Sequence, residues 1–276
     1  MNKGINDIIA LLLQTEGTNI SIYDEDFLIK SLDKRLITTG NDSYINYFEY
    51  LKEHKKESGI LLDSMLIAFS EFFRNPLTFA VLEQNILPAV IEKKKTRSEH
   101  EIRIWSAACA AGQEAYSLAI VLDELMENLN KNLTCRIFAT DIDETELSNA
   151  QKGIYQMTSI NKVPYKRIQK YFTQKGDNYI IAPRLRKYID FSAFNLLSQH
   201  GESPPASIYG DFDIIFCSNV LFYYKPEVQV RILERLSNNL IPGGYLITGE
   251  VERKIVKGNK FCEVYANSSI FQKVKY

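Results

Sequence analysis

Residues suited to metal or redox chemistry are scarce in this chain of 276 residues. The four cysteines, Cys109, Cys135, Cys217 and Cys262, are far apart, and no two form a C-x-x-C pair, which excludes the usual zinc and dithiol motifs. Three of them lie in or beside apolar segments, so buried free thiols are expected. The three histidines, His54, His100 and His200, sit in polar surroundings without helical spacing between any two, and no catalytic metal is expected. An excess of either charge is also lacking. Lys and Arg total 33 against 34 Asp and Glu, a formal net charge of -1 that gives no overall pull towards nucleic acid or an anionic membrane. Long apolar runs are missing: segments such as Ile8 to Leu13 are far too short to span a bilayer. The N-terminus has no basic-then-apolar signal pattern, so a cytosolic protein is expected. Neither internal repeats nor low-complexity tracts occur.

What remains is ordinary globular material, 45% hydrophobic and 24% charged, long enough for one large or two modest domains. From residue 5 to about 70 the apolar spacing is helical throughout, over Ile5 to Leu13, Asp24 to Leu36, Ser43 to Leu51 and Leu61 to Phe69. Asp24 and Ser43 are N-cap residues by type, and Gly17, Gly40 and Gly59 punctuate the ends. A small all-α domain over residues 1–70 is expected. Beyond Phe72-Phe73-Arg74-Asn75-Pro76 the pattern changes to alternating strands and helices, which implies a parallel sheet covered on both faces over 71–276. The polar stretch Glu92 to Glu101 reads as a solvated loop.

In the region beyond residue 70, a single segment carries chemistry. An apolar strand, Ile102 to Trp105, runs into the small-residue loop Ser106-Ala107-Ala108-Cys109-Ala110-Ala111-Gly112, and a helix opens at Gln113-Glu114. Small side chains allow a ligand close to the backbone, and the helix start offers unpaired N–H groups. A second strand, Cys135 to Ala139, ends at Thr140-Asp141, where doubly wound folds place the carboxylate that binds a ribose diol. The loop lacks G-x-G-x-x-G, which disfavours a pyrophosphate pressed against the backbone and hence NAD or FAD. S-adenosylmethionine, which has no phosphates, suits it better. Downstream, Phe212 to Phe216 reads as a buried strand ending in Cys217-Ser218-Asn219. A helix from Pro226 to Leu240 is stopped by Pro242-Gly243-Gly244, which launches the strand Tyr245 to Gly249. A final hairpin, Cys262 to Ala266 with Ile270 to Lys275, follows. Tyr179 to Ile181 and Tyr188 to Phe191 read as short strands of a small antiparallel insertion around Pro183.

With these segments assembled, the chain resembles the chemotaxis receptor protein-glutamate O-methyltransferases, the CheR family, over nearly its whole length. The resemblance rests on Phe72-Phe73-Arg74, on Trp105-Ser106-Ala107 with Gly112, Glu114 and Tyr116-Ser117, and on Ala139-Thr140-Asp141-Ile142-Asp143. It continues through Gly153-Ile154-Tyr155, Phe194-Asn195-Leu196-Leu197, Phe212 to Cys217, Asn219-Val220-Leu221, Tyr223 and Pro242-Gly243-Gly244. It implies a class I, Rossmann-like methyltransferase domain with a small β-subdomain at about 157–195, preceded by an all-α receptor-contacting domain. The implied cofactor is S-adenosylmethionine, released as S-adenosylhomocysteine. The implied cofactor-binding residues are Ser70, Arg74, Ala107, Gly112, Glu114, Asp141, Asn195, Leu196, Asn219 and Val220, with Glu114 on the donor's amino acid part and Asp141 on its ribose. Arg74 and Tyr223 would stand at the reacting methyl group. The implied partner is the cytoplasmic helical region of a membrane chemoreceptor, met by a monomer that binds no nucleic acid and inserts into no membrane.

Departures from the family pattern bear on specificity. Only the second acid of Gly-Glu-Glu-Pro-Tyr-Ser is kept, as Gly112-Gln113-Glu114-Ala115-Tyr116-Ser117; Cys-Arg-Asn becomes Cys217-Ser218-Asn219, and Gly-His-Ser-Glu becomes Gly249-Glu250-Val251-Glu252. The basic face of the second helix is reduced to Lys30, Lys34 and Arg35. Two other readings follow: a methyltransferase for a different substrate, or a signalling module that binds the donor without turnover.

Overall fold

The computed structural model describes residues 3–66, 69–127, 133–257 and 260–274, and the chain divides into two compact units. The first comprises residues up to 67 together with 222–229. Its helices are α1 (Lys3–Glu16), α2 (Glu25–Thr39), α3 (Tyr44–Glu53) and α4 (Lys55–Met65). Each presents one apolar stripe: Ile5, Ile8 and Leu12 on α1, Leu28, Leu32 and Leu36 on α2, Tyr47 and Leu51 on α3, Leu61 and Met65 on α4. Asp24 caps α2 by accepting from the N–H groups of Asp26 and Phe27, Ser43 caps α3 through Asn46, and Gly40 closes α2 in the left-handed conformation.

Three expectations for this unit are corrected. Gly59 does not end a helix but lies inside α4, which begins six residues earlier than its apolar spacing suggested and ends at Met65. Burial of Glu57, Leu61 and Met65 outweighs the glycine penalty of about 1 kcal/mol. Part of the expected helical end, residues 67 and 68, lies outside the described residues. Arg35 is not a free basic group: its guanidinium donates to both oxygens of Glu57 at 2.8 Å, and the Tyr47 hydroxyl donates to the same carboxylate at 2.8 Å. Lys30 and Lys34 remain exposed.

The second unit, residues 68–221 and 230–276, is built on a seven-stranded sheet. After α5 (Pro76–Val81), a π-helical turn over Leu82–Ile86 leads into α6 (Leu87–Thr96). Pro88 has no N–H to donate in the next turn, and the wider turn before it accommodates that loss. Then come β1 (Glu101–Ala107), α7 (Gln113–Glu127), β2 (Thr134–Asp141), α8 (Glu144–Lys152), β3 (Ile154–Gln156), α9 (Met157–Ile160), α10 (Tyr165–Tyr171), β4 (Phe172–Lys175), β5 (Asn178–Ile181), α11 (Pro183–Arg186), β6 (Ile189–Ala193), β7 (Phe212–Cys217), α12 (Pro226–Asn239), β8 (Leu240–Thr248), α13 (Arg253–Val256), β9 (Phe261–Glu263) and β10 (Ile270–Lys273). The sheet order is β6-β2-β1-β7-β8-β10-β9, parallel from β6 to β8, with β10 reversed against β8. Buried on both faces, β7 is apolar nearly throughout. Strand order reverses at β1, so the carboxyl ends of β1, β2 and β7 meet at a switch point, where such sheets bind ligands.

Here too the structure amends the sequence reading. Glu92 to Thr96 is the end of α6 rather than a solvated loop. Lys94 is buried there, paired with Glu99 at 2.7 Å and Asp213 at 3.0 Å. Pro242-Gly243-Gly244 lies within β8 as an irregularity in its pairing with β7, so it interrupts the strand instead of preceding it. A separate antiparallel sheet, β3-β5-β4, contains Tyr179 to Ile181, but Ile189 to Ala193 joins the main sheet beside β2. Its parallel register, Ile137 against Ile189 through Asp141 against Ala193, is a long-range pairing. Cys109, Cys135 and Cys217 are buried, whereas Cys262 is exposed. Lys275, the expected end of the hairpin, lies outside the described residues.

Candidate functional site

The site grows out of the carboxyl ends of β1, β2 and β7. Past β1 the chain turns through Ala108, Ala110 and Gly112, all at positive φ (58°, 46° and 84°), a conformation costly for alanine and concentrated at functional loops. The turn is held from outside. The Cys109 N–H donates to the Thr140 carbonyl at 2.9 Å, the Ala110 N–H to Asp141 Oδ2 at 2.8 Å, and the Tyr155 hydroxyl to the Ala111 carbonyl at 2.7 Å. Gly112 is required sterically as well, because a Cβ there would stand 2.8 Å from that of Ala150.

Glu114, in the first turn of α7, accepts from the Ser106 hydroxyl at 2.7 Å. Burial pushes its pKa up to about 7, against the pull of the Ser106 and Ser218 hydroxyls and the Arg74 charge. Asp141 accepts from the N–H groups of Ala110 and Asp143, and burial raises its pKa while those donors oppose the rise. Asp143, not Asp141, caps α8, accepting from Thr145 and Glu146. Asp141 therefore faces the loop rather than the helix.

Arg74 reaches the same place from the segment before α5. The Phe73 N–H donates to Ser117 Oγ at 3.0 Å, and that hydroxyl donates to the Gln113 carbonyl at 2.7 Å, fastening the segment to α7. Phe72 packs edge-on against Tyr155 and Phe172, and Phe73 against Phe79, so the paired phenylalanines are core anchors. The Arg74 guanidinium lies 5.0 Å from the centre of the Phe69 ring.

Arg74 and Glu114 line one cleft, open to solvent, together with Ser70, Glu71, Ala108, Ser218 and Asn219 and with Phe79 and Phe216. Of the residues singled out from the sequence, Ser70, Arg74, Glu114 and Asn219 share its walls. Ala107, Gly112, Asp141 and Val220 lie along the same sheet edge. Asn195 and Leu196 follow β6 at that edge, but the Asn195 side chain accepts from its own Leu197 N–H at 2.8 Å, and Leu196 borders a different groove with Arg231 and Arg235. Tyr223 is placed with the first unit: its carbonyl accepts from the Asp24 N–H at 2.9 Å and its ring lies 5.0 Å from that of Phe27. Sequence reasoning passed over Ser218 and Glu252 as functional residues, although both lie in the motifs that depart from the family pattern. The Glu252 carboxylate accepts from the backbone N–H groups of Asn219, Val220, Leu221 and Gly249. Among the described residues no cluster of three His, Cys, Asp or Glu suited to a metal occurs.

The cleft fits S-adenosylmethionine. Glu114 in its wall complements a cationic ligand, and Asn219 Oδ1 is buried with no protein partner. A doubly wound sheet with a reversed last strand, a small-residue loop after β1 and an acid after β2 define an S-adenosylmethionine-dependent methyltransferase of class I. Residues 68–269 match the family model described as the CheR methyltransferase, SAM binding domain. Chemotaxis protein methyltransferase 1 of Pseudomonas aeruginosa is 38% identical over 70% of this chain and 69% of its own length. The chemotaxis protein methyltransferase of Borreliella burgdorferi is 30% identical over 94% of this chain and 90% of its own. An uncharacterized 104.1 kDa protein of Rhodobacter capsulatus is 29% identical over 99% of this chain, which spans only 28% of that relative's length. The chain belongs to the CheR methyltransferase family.

Proposed function

We propose that this protein esterifies glutamate side chains on the cytoplasmic helices of a chemoreceptor, acting in the cytoplasm as a monomer. The observation that carries the reading is the cleft that gathers Arg74, Glu114, Ser218 and Asn219 at the switch point of a CheR-family sheet. S-adenosylmethionine, when bound, supplies an electrophilic methyl group and leaves as a neutral thioether. An acceptor glutamate, with an unperturbed pKa of about 4.3, is ionised at neutral pH, so its oxygen needs no general base to attack the methyl carbon. As the C–O bond forms, the C–S pair returns to sulfur, and no proton moves. The protein's tasks are alignment and exclusion of water, and alignment alone supplies up to about 7–11 kcal/mol in favourable systems.

In this reading Glu114 holds the donor's ammonium, Asp141 its ribose, and the Ala107–Gly112 turn its adenosine side, while Arg74 orients a carboxylate at the reacting centre. Asn195, Leu196 and Val220 take the adenine and methionine walls, and Tyr223 stands at the methyl group, on the strength of the family resemblance. Lys30 and Lys34, exposed on α2, suit an acidic receptor helix. The domain division at residue 70 belongs to the same reading.

The test is incubation with methyl-labelled S-adenosylmethionine and chemoreceptor-containing membranes from the source organism, followed by base treatment and measurement of volatile labelled methanol. Base-labile label that is lost with Asp141→Ala supports receptor carboxyl methylation. Its absence from membranes shown to contain receptor rejects that acceptor.

A further inference from the structure

We infer that Glu252 is a positioning residue for donor binding: it shapes the β7 end of the cleft without touching the donor, by holding the turn Ser218–Leu221 through backbone N–H groups. The inference rests on the reading of the cleft as the donor site. Glu252 is fully buried, at 0% exposure. A carboxylate offers about four acceptor directions, and here all are taken. Oε1 accepts from Val220 at 2.6 Å and Leu221 at 2.7 Å, and Oε2 from Asn219 at 2.8 Å and Gly249 at 2.7 Å. Each of the four neighbours donates, so none is available to accept a carboxylic proton. The ionised form is the one this nest accommodates.

The geometry enforced on the turn explains why such a residue is needed. Asn219 stands at φ 63°, a left-handed conformation that a non-glycine residue keeps only when its surroundings hold it there. With its N–H fixed to Glu252, its side chain lies at the cleft wall and leaves Oδ1 without a protein partner. Gly249 completes the fit: a Cβ there would come within 2.6 Å of Asn219 Nδ2 and 3.0 Å of Glu252 Oε2. Glu252 thus ties the end of β8 to the end of β7, and its hydrogen bonds set where Ser218 and Asn219 enter the cleft.

The experiment compares the full-length protein with Glu252→Gln, which keeps size but replaces one acceptor oxygen with an NH2 group facing N–H donors. Expected is a rise of roughly ten- to hundredfold in KM for S-adenosylmethionine and in Kd for S-adenosylhomocysteine, with kcat at saturating donor held within about threefold. A residue that only supports the fold lowers Tm and leaves KM of the folded protein unchanged, and that result overturns the proposal. If Glu252→Gln fails to fold, Glu252→Asp serves. It keeps the charge but is one methylene too short to span from Gly249 to Leu221, and a wild-type KM in that variant likewise overturns the proposal. Glu114→Gln is the reference for the site itself. Weakened donor binding in Glu114→Gln with none in Glu252→Gln refutes the positioning role alone; unchanged binding in both refutes the donor site as well.

Discussion

Acidification from pH 8 to pH 6 should weaken donor binding about tenfold, and Glu114 is the group responsible. Its pKa lies at about 7 because burial outweighs two hydroxyls and the Arg74 charge. If the donor's ammonium binds only the ionised carboxylate, the apparent Kd is multiplied by 1 + 10^(pKa − pH), roughly 11 at pH 6 and 1.1 at pH 8, a difference of about 1.4 kcal/mol. Folding runs the opposite way. The folded pKa is raised above the unfolded value near 4.5, so the contribution of Glu114 to stability is complete below about pH 4.5. It is lost as pH rises through 7, at a cost of about 3 kcal/mol. Titration calorimetry with S-adenosylhomocysteine, which carries the same ammonium, reads the binding side between pH 5.5 and 8.5. Glu114→Gln should bind more weakly at pH 8 and show a flat profile, while gaining stability relative to wild type at pH 8 but not at pH 4.5. Constant wild-type affinity from pH 6 to 8, or a slope that persists in Glu114→Gln, would refute the reasoning.

Three further outcomes are expected. Arg74→Ala should lower turnover by about a hundredfold or more through lost alignment, with binding of S-adenosylhomocysteine as a check on folding; near-wild-type activity removes Arg74 from the mechanism. Gly112→Ala should destabilise the protein by about 1–3 kcal/mol in urea unfolding, from the left-handed backbone and the 2.8 Å approach to Ala150, and an unchanged midpoint contradicts the steric account. Glu57→Gln should cost about 3–5 kcal/mol, because it strips the charge partner from the part-buried Arg35, and a loss below about 1 kcal/mol in the same assay shows that solvent satisfies Arg35 instead.

Much of this architecture is written locally. The stripe Leu28, Leu32, Leu36 needs no partner to be read as one helix face, and Asp24 and Gly40 mark its ends by residue type alone. The order of strand, small-residue loop, helix, strand and acid likewise singles out Asp141 by position, whereas Glu114 is singled out by the family resemblance. Pairings between distant residues were not legible. Three basic residues on one face look alike in sequence whether or not one of them meets a carboxylate 22 positions downstream, as Arg35 does with Glu57. Lys94, within an evidently polar stretch, is buried because Asp213 waits more than a hundred residues away. Ile189 to Ala193 alternates like any short strand, and only its register with β2 assigns it to the main sheet. Glu252 escaped for the same reason, since its partners are backbone groups that no side-chain motif encodes.

The way the cleft's walls are fastened has an evolutionary consequence. The Ala108–Gly112 turn is anchored by Thr140, Asp141 and Tyr155, and the turn after β7 by Glu252, whose carboxylate accepts from the N–H groups of Asn219, Val220 and Leu221. The backbone scaffold is thereby separated from side chains such as Ser70 and Ser218 that face the cleft. Mutational drift at those facing positions leaves the anchors in place, so the cleft's lining can change one substitution at a time while its backbone shape persists. Substitution at an anchor offers no such gradual path, because it displaces a whole stretch of wall at once.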